Sequence, residues 1–181
     1  MPKKLAELIQ ANFPKGMKVP ESIRSLCAYL EKHDYPISGT FEINSRKDVA
    51  AEWFPGDKTM QRQIAVFGNS STGSTYALWL TNEKDPEEAP VVLLGSEGDF
   101  VVLAMNATEF CRLLGCGYEE LEWDDLSGPP ALWDETAKLR KWLSAKLDLQ
   151  CPETGQEIVA PAQNRHNGFA DWMRKWQDAH L

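Results

Sequence analysis

The stretch IAVFGNSSTGSTYALWL at residues 64–80 and the stretch PVVLLGSEGDFVVLAMNATEFCRLLGCG at residues 90–117 decide the fold of this chain. Together they contain four short apolar runs, separated by glycine-rich or charged turns, at 64–67, 74–80, 91–94 and 100–104. Short apolar runs bounded by turn residues predict β-strands, and tight linkers between consecutive strands favour antiparallel pairing. We therefore expect a mostly antiparallel central sheet.

Helical patterns lie on both sides of these strands. Apolar residues at helical spacing predict helices near residues 2–12 and 20–30, before the strands. After the strands, Asn106 followed by Glu109 has the form of a capping box, which predicts the start of a helix. This order of elements predicts an α+β fold, with a mostly antiparallel sheet flanked by helices, as a single domain over residues 1–181.

The region after residue 125 is predicted to contain two helices and a loop. Pro129-Pro130 favours the start of a helix that carries Leu132 on its apolar face. Residues 151–162 contain two prolines and a glycine, which predicts a loop. The last helix, at 169–177, has large apolar side chains at i, i+3, i+4 and i+7. We expect this appended C-terminal helix to pack back on the domain, with a dimer or partner contact as the alternative.

Length, composition and charge limit the class of protein. The chain has 181 residues, of which 43% are hydrophobic and 25% charged, a balance typical of one globular domain. With 19 Lys and Arg against 27 Asp and Glu, the net charge is −8. Nucleic-acid binders normally present a basic face, so we expect no direct contact with nucleic acid. An acidic chain is instead compatible with a basic protein partner.

No segment of the sequence has the character of a signal peptide or of a membrane span. We therefore expect a cytoplasmic protein that does not contact membranes, with its four cysteines as reduced thiols. Cys111 and Cys116 are too far apart for a two-residue metal knuckle, and no second pair completes a site. We expect no metal.

The segment from Gly68 to Thr75 has the outline of a phosphate-binding loop. Such a loop needs a lysine on the phosphates and a helix behind it. Here Ser74 takes the place of the lysine, and the residues that follow alternate like a strand. We therefore interpret the segment as a hairpin turn and keep a nucleotide-binding enzyme as a less favoured alternative. The three histidines lie in no recognisable nucleophile motif, so we expect no catalytic residues and no cofactor.

Two acidic runs, at residues 83–88 and 119–125, are the remaining candidates for a functional surface. Runs of like charge most often form solvated loops. The second run also carries a tryptophan, and an acidic loop with an embedded tryptophan is suited to anchoring a basic protein partner. The candidate partner-binding residues are Glu119, Glu120, Trp123, Asp124 and Asp125.

The central block resembles the SUKH superfamily, which includes fungal cell-wall synthesis regulators and many bacterial immunity proteins. The resemblance covers about residues 41–125. It is carried by Phe67-Gly68, Gly73-Ser74-x-Tyr76-Ala77-x-Trp79, Pro90-Val91-Val92-x-Leu94-Gly95-Ser96-Glu97-Gly98, Val101-Val102-Leu103-Ala104 and Phe110-x-x-Leu113-Leu114. It implies an α+β domain with a mostly antiparallel sheet flanked by helices, and it supplies no catalytic residues.

The resemblance also implies a non-enzymatic, protein-binding function. In a bacterial setting the chain would be an immunity protein that neutralises a cognate toxin, such as a nuclease. A regulatory scaffold with several weak partners is the alternative. A small-molecule or nucleotide-binding enzyme that uses the loop at 68–75 is a less favoured third hypothesis.

Overall fold

The fold is a five-stranded antiparallel sheet with helices on both of its faces. A computed structural model describes residues 3–33, 37–80, 85–131 and 133–180. The strands follow one another across the sheet in chain order, and each pairs with its sequence neighbour. They are β1 (Glu42–Ile43), β2 (Ile64–Asn69), β3 (Thr75–Trp79), β4 (Val91–Leu94) and β5 (Phe100–Ala104). The predicted α+β class and the antiparallel sheet are confirmed.

Eight α-helices lie in the described ranges. They are α1 (Leu5–Ile9), α2 (Glu21–His33), α3 (Val49–Trp53), α4 (Lys58–Gln61), α5 (Ala107–Leu114), α6 (Asp134–Leu147), α7 (Gln156–Arg165) and α8 (Phe169–His180). The start of α5 matches the prediction, since the Asn106 side chain accepts the Glu109 N–H at 2.9 Å. Within the described part of the chain, no helix is both long enough and apolar enough to cross a membrane.

The first hydrophobic core lies between one face of the sheet and helices α1, α2 and α5. Because side chains alternate along a strand, β3 directs Tyr76 and Leu78 to this face. Tyr76 joins Phe41, Phe67 and Phe110 in an aromatic cluster with ring centroids 5.3–6.0 Å apart. Aromatic pairs at these distances add to the free energy of burial. The cluster therefore holds α5 against the middle of the sheet.

The second core lies on the opposite face of the sheet, under α3 and α8. Phe169, Met173 and Trp176 of α8 are buried there against strand residues such as Val66 and Val92. The predicted packing of the last helix on the domain is therefore confirmed. With both faces covered, nearly every residue of β2 to β5 is buried, which explains why these strands are apolar throughout.

The loop at residues 70–74 joins the antiparallel strands β2 and β3. Two of its backbone N–H groups donate to carbonyls of the loop itself. The Ser70 N–H donates to the Ser74 carbonyl, and the Gly73 N–H donates to the Ser70 carbonyl. Gly73 itself has a φ of +91°, a conformation that favours glycine. The hairpin interpretation is confirmed, and the helix that a phosphate-binding loop requires is replaced by a strand.

Two predictions for the C-terminal third are wrong. The segment predicted as a loop at 151–162 contains most of α7, because Ile158, Val159 and Ala162 bury one helix face against the protein. Pro161 removes one intrahelical hydrogen bond, but the carbonyl that it leaves free belongs to exposed Glu157. The helix predicted from Pro129-Pro130 begins four residues later, at Asp134. Leu132, and Glu83 of the first acidic run, lie outside the described residues.

Candidate protein-binding site

The acidic segment, residues 119–125, lies between α5 and α6. It begins after Gly117, whose φ of +100° turns the chain away from the end of α5. A Cβ at this position would also collide with the Thr136 side chain of α6, which packs directly beneath it. The turn therefore requires glycine for both its backbone conformation and its close packing. As a result, the acidic segment passes beside the tips of two hairpins.

Tyr118 anchors the start of the acidic segment. Its ring is buried, and its hydroxyl accepts the Gly155 N–H at 2.9 Å. The hydroxyl oxygen also lies 2.7 Å from the Gly128 carbonyl and 3.1 Å from the Leu126 carbonyl, to which it can donate. Burial raises the pKa of Tyr118, so the hydroxyl keeps its proton and remains a donor. One side chain thus links both ends of the acidic segment to the start of α7.

Two carboxylates of the acidic segment point inward and contact other parts of the fold. Glu122 accepts the Ser74 hydroxyl at 2.6 Å, and that hydroxyl oxygen in turn accepts the Ser96 N–H at 3.1 Å. Glu120 accepts the Thr40 hydroxyl at 3.3 Å. Both contacts are formed between residues far apart in the chain. The first contact attaches the acidic segment to the β2–β3 and β4–β5 turns, and the second attaches it to the turn before β1.

The inward carboxylates lie in a partly desolvated environment. Burial is the main cause that raises the pKa of Glu120, and the charges of Asp124 and Glu122 act in the same direction. Oε1 of Glu122 is buried and has no hydrogen-bond partner among the described residues. Burial and the same two glutamates also raise the pKa of Tyr76. The anchoring of the segment therefore depends on buried polar contacts, which are costly to break.

The outward side of the acidic segment is exposed. Glu119, Asp124 and Asp125 face solvent, and Trp123 is 51% exposed. Trp123 is the one exposed large hydrophobic side chain among the described residues. Asp124 accepts the Glu120 N–H at 3.0 Å through Oδ2, which keeps the segment in a tight turn. The segment thus presents an aromatic side chain and three carboxylates on an ordered backbone.

A groove of about 680 Å³ lies beside the acidic segment. The described residues that line it are Gly117, Tyr118, Glu119, Asp124, Asp125, Gly128, Pro129, Pro130, Ala131 and Trp133. Three of them are acidic and none is basic. The indole N–H of Trp133 donates to the Gly117 carbonyl at 3.2 Å, which fixes the ring at the wall. We refer to this feature as the acidic groove.

The structure separates the five predicted contact residues into two groups. Glu119, Asp124 and Asp125 line the acidic groove, and Trp123 is exposed next to Asp124 in the chain. Glu120 instead is half-buried and bonded to Thr40, so it positions the segment. The sequence pattern does not predict the remaining lining residues Pro129, Pro130, Ala131 and Trp133, because two prolines before a helix indicate only a helix start. Two prolines and a tryptophan within ten residues of the end of an acidic run are the available signal.

The first acidic run has a structural role at Glu87. Its carboxylate accepts the Glu21 N–H at 2.7 Å, across 66 residues of chain. That N–H belongs to the first turn of α2, which has no intrahelical acceptor for it. Glu87 therefore caps α2 from another part of the molecule, whereas Glu88 is exposed. This run is accordingly a weaker candidate for partner binding than the acidic segment.

The cysteines lie in the interior near α5. All four are free thiols, and Cys27, Cys111 and Cys116 are buried. Burial raises the pKa of each of these three thiols to about 12, so they are protonated at neutral pH. In the described ranges, no group of three or more His, Cys, Asp or Glu side chains is placed to hold a metal ion.

Comparisons with protein-family models, with curated proteins and with solved structures find no significant match for this chain. The relationship to the SUKH superfamily therefore stays a prediction, which rests on the residues quoted for it in the sequence. The geometry of the acidic segment and its groove supplies the separate grounds for a function.

Proposed function

We propose that this chain is a non-enzymatic protein-binding domain that neutralises a basic protein partner through the acidic segment and the groove beside it. The observation that carries the proposal is the exposure of Trp123 between carboxylates on a backbone that the rest of the fold holds in place. The SUKH resemblance favours a specific form of this function, namely an immunity protein bound to a cognate bacterial toxin such as a nuclease.

The composition of the segment suits recognition of a basic surface. Tryptophan dominates the free energy of binding at many protein interfaces, because it buries a large area with little loss of conformational entropy. Carboxylates around such an anchor speed the approach of a positively charged partner and disfavour acidic ones. The net charge of −8 acts in the same direction over longer distances.

The attachment of the segment to the fold also favours tight binding. A loop that is already ordered loses less conformational entropy on association than a flexible one. Here Tyr118 fixes the segment to the start of α7, Glu122 fixes it to two hairpin turns, and Glu120 fixes it to the turn before β1. In the proposed complex, the segment would occupy the partner's substrate-binding surface in place of a polyanion, so inhibition would be steric and electrostatic.

The product of the gene adjoining this one is the first partner to test. Co-expression with this chain should relieve its toxicity, and the purified proteins should form a stoichiometric complex. Trp123→Ala should weaken that complex by about 30-fold, in line with the ~2 kcal/mol typical of an interface hot spot. A pull-down that recovers many substoichiometric proteins instead of one would favour the regulatory scaffold.

A further inference from the structure

The lining of the acidic groove combines two kinds of side chain. Glu119, Asp124 and Asp125 contribute carboxylates, and Pro129, Pro130 and Trp133 contribute rings. A ligand that matches this lining needs a positive charge together with a flat, weakly hydrated face.

Asp124 and Asp125 can each accept further hydrogen bonds. Asp124 uses Oδ2 for the Glu120 N–H, and Asp125 uses Oδ1 for the N–H and the hydroxyl of Ser127. No donor from the described residues reaches the second oxygen of either aspartate. The Ser127 hydroxyl and then its N–H lower the pKa of Asp125, so that this carboxylate stays ionised at neutral pH.

The size of the groove suits a short segment of a partner's polypeptide chain. A volume of about 680 Å³ falls in the range of sites that hold drug-sized ligands, roughly 300–1,000 Å³. A single long side chain together with the backbone on either side of it is a ligand of that size. Three carboxylates would repel a phosphate or a nucleic-acid backbone, which leaves a cationic peptide as the matching ligand.

We propose that the acidic groove binds an arginine-bearing segment of the protein partner, with the guanidinium group paired with the carboxylates and stacked on the Trp133 ring. The inference rests on the proposed function and names the group that the partner presents. Arginine fits better than lysine because its guanidinium is planar, stacks on aromatic rings and binds carboxylates with two parallel hydrogen bonds. The lysine ammonium is more strongly hydrated and lacks a flat face.

Small amides test this inference without the partner. N-acetyl-arginine amide, N-acetyl-lysine amide and the neutral N-acetyl-citrulline amide are titrated into the full chain while the indole and backbone N–H resonances are followed by NMR. We expect the arginine amide to shift resonances of Trp133, Asp124 and Asp125 with a millimolar Kd, as suits so small a ligand. The citrulline amide should bind at least tenfold more weakly, and the lysine amide about threefold more weakly.

Variants locate the binding. Asp125→Asn should weaken binding of the arginine amide about fivefold, and Trp133→Leu should remove the preference for arginine over lysine. Glu97→Gln, an exposed carboxylate on the β4–β5 turn, is the matched control and should leave the titration unchanged. Because Trp133 is half-buried, the Asp125 variant keeps the test decisive if Trp133→Leu does not fold.

The results of these experiments test arginine binding in the groove and the proposed function separately. Equal binding of all three amides, or shifts confined to residues outside the groove, would overturn the inference. If those outcomes are found but Trp123→Ala still weakens the complex with the partner, the proposed function stands without arginine binding in the groove. Arginine binding in the groove together with a complex that tolerates every change in the acidic segment would overturn the proposed function instead.

Discussion

Gly68 lies beneath the ring of Phe41, and a Cβ at position 68 would overlap that ring and approach the Glu42 carbonyl at 3.1 Å. The register of β2 also shifts between Val66 and Gly68, which marks a β-bulge. At the scale of single residues, this glycine serves the aromatic core. Its place in an apparent phosphate-binding motif follows from sheet packing.

Gly68→Ala should lower the free energy of unfolding by about 1–3 kcal/mol, because the added methyl group overpacks a rigid aromatic cluster. Urea unfolding followed by tryptophan fluorescence measures the change. Gly168→Ala is the control, since a Cβ at that position meets open space, and it should shift stability by no more than ~0.5 kcal/mol. Equal effects of the two substitutions would contradict the assigned role of Gly68.

At the same scale, Asp57 makes the stability of the fold depend on pH. The N–H of Met60 at 3.0 Å and the indole N–H of Trp176 at 3.0 Å are the main causes that lower its pKa. A carboxylate with a lowered folded-state pKa stabilises the fold above its unfolded pKa of about 4 and loses that effect as the pH falls through the folded value. We therefore expect stability to decline on acidification below about pH 4.

Asp57→Asn should make this acid-side decline shallower, because the variant has no charge to lose at position 57. The measurement is the free energy of unfolding from about pH 2 to about pH 7, a range that includes the titration of aspartate side chains. Asp178→Asn, at an exposed position of α8, should keep the wild-type slope. An unchanged slope in Asp57→Asn would show that its hydrogen bonds do not persist in solution.

At the scale of elements, the first turn of α2 is capped by Glu87, which lies far away in the chain. Glu87→Ala removes the acceptor of the Glu21 N–H, and we expect a loss of about 1 kcal/mol, the typical contribution of a helix cap. Thermal unfolding measures this loss. Glu88→Ala, one residue further on and exposed, should be neutral within ~0.5 kcal/mol. If both variants behave alike, the loop acts only as a solvated acidic stretch.

Helix α8 is the other element whose contribution can be measured. Met173 is fully buried in the second core, and Met173→Ala should cost about 2–5 kcal/mol through lost burial and a residual cavity. Lys175→Ala, on the exposed side of the same helix, should change stability by less than ~0.5 kcal/mol. Chemical denaturation distinguishes the two. A small effect of Met173→Ala would indicate that α8 detaches from the sheet in solution.

The elements also show how far sequence reasoning extends. The four main strands and α5 were predictable, because each combines a strong local pattern with turn or capping residues. Helix α7 was not, since the two prolines and the glycine of residues 151–162 favour a loop locally. Only burial of Ile158 and Val159 against the fold overrides them. The acidic residues of the candidate site were predictable as an exposed charged run. The inward turn of Glu120 was not, because it depends on Thr40, 80 residues away.

At the scale of the whole molecule, the fold places two layers of helices around a sheet and leaves one ordered acidic segment at its surface. The interior contacts of that segment and its outward charges are separate features, so binding and stability can be changed separately. Trp123→Ala should leave the free energy of unfolding within ~0.5 kcal/mol of the wild type, because the side chain is half exposed. The substitution should instead weaken the complex with the protein partner.

Calorimetric titration of the purified adjoining-gene product into wild-type protein and into Trp123→Ala tests whether the acidic segment binds a protein partner. We expect a one-to-one complex with the wild type, whose Kd rises about 30-fold in the variant, as for an interface hot spot. The wild-type Kd should also rise when salt is added, because exposed charges are then screened. If no complex forms, or if the wild type and the variant bind the gene product equally well, the acidic segment is not the binding site of this partner.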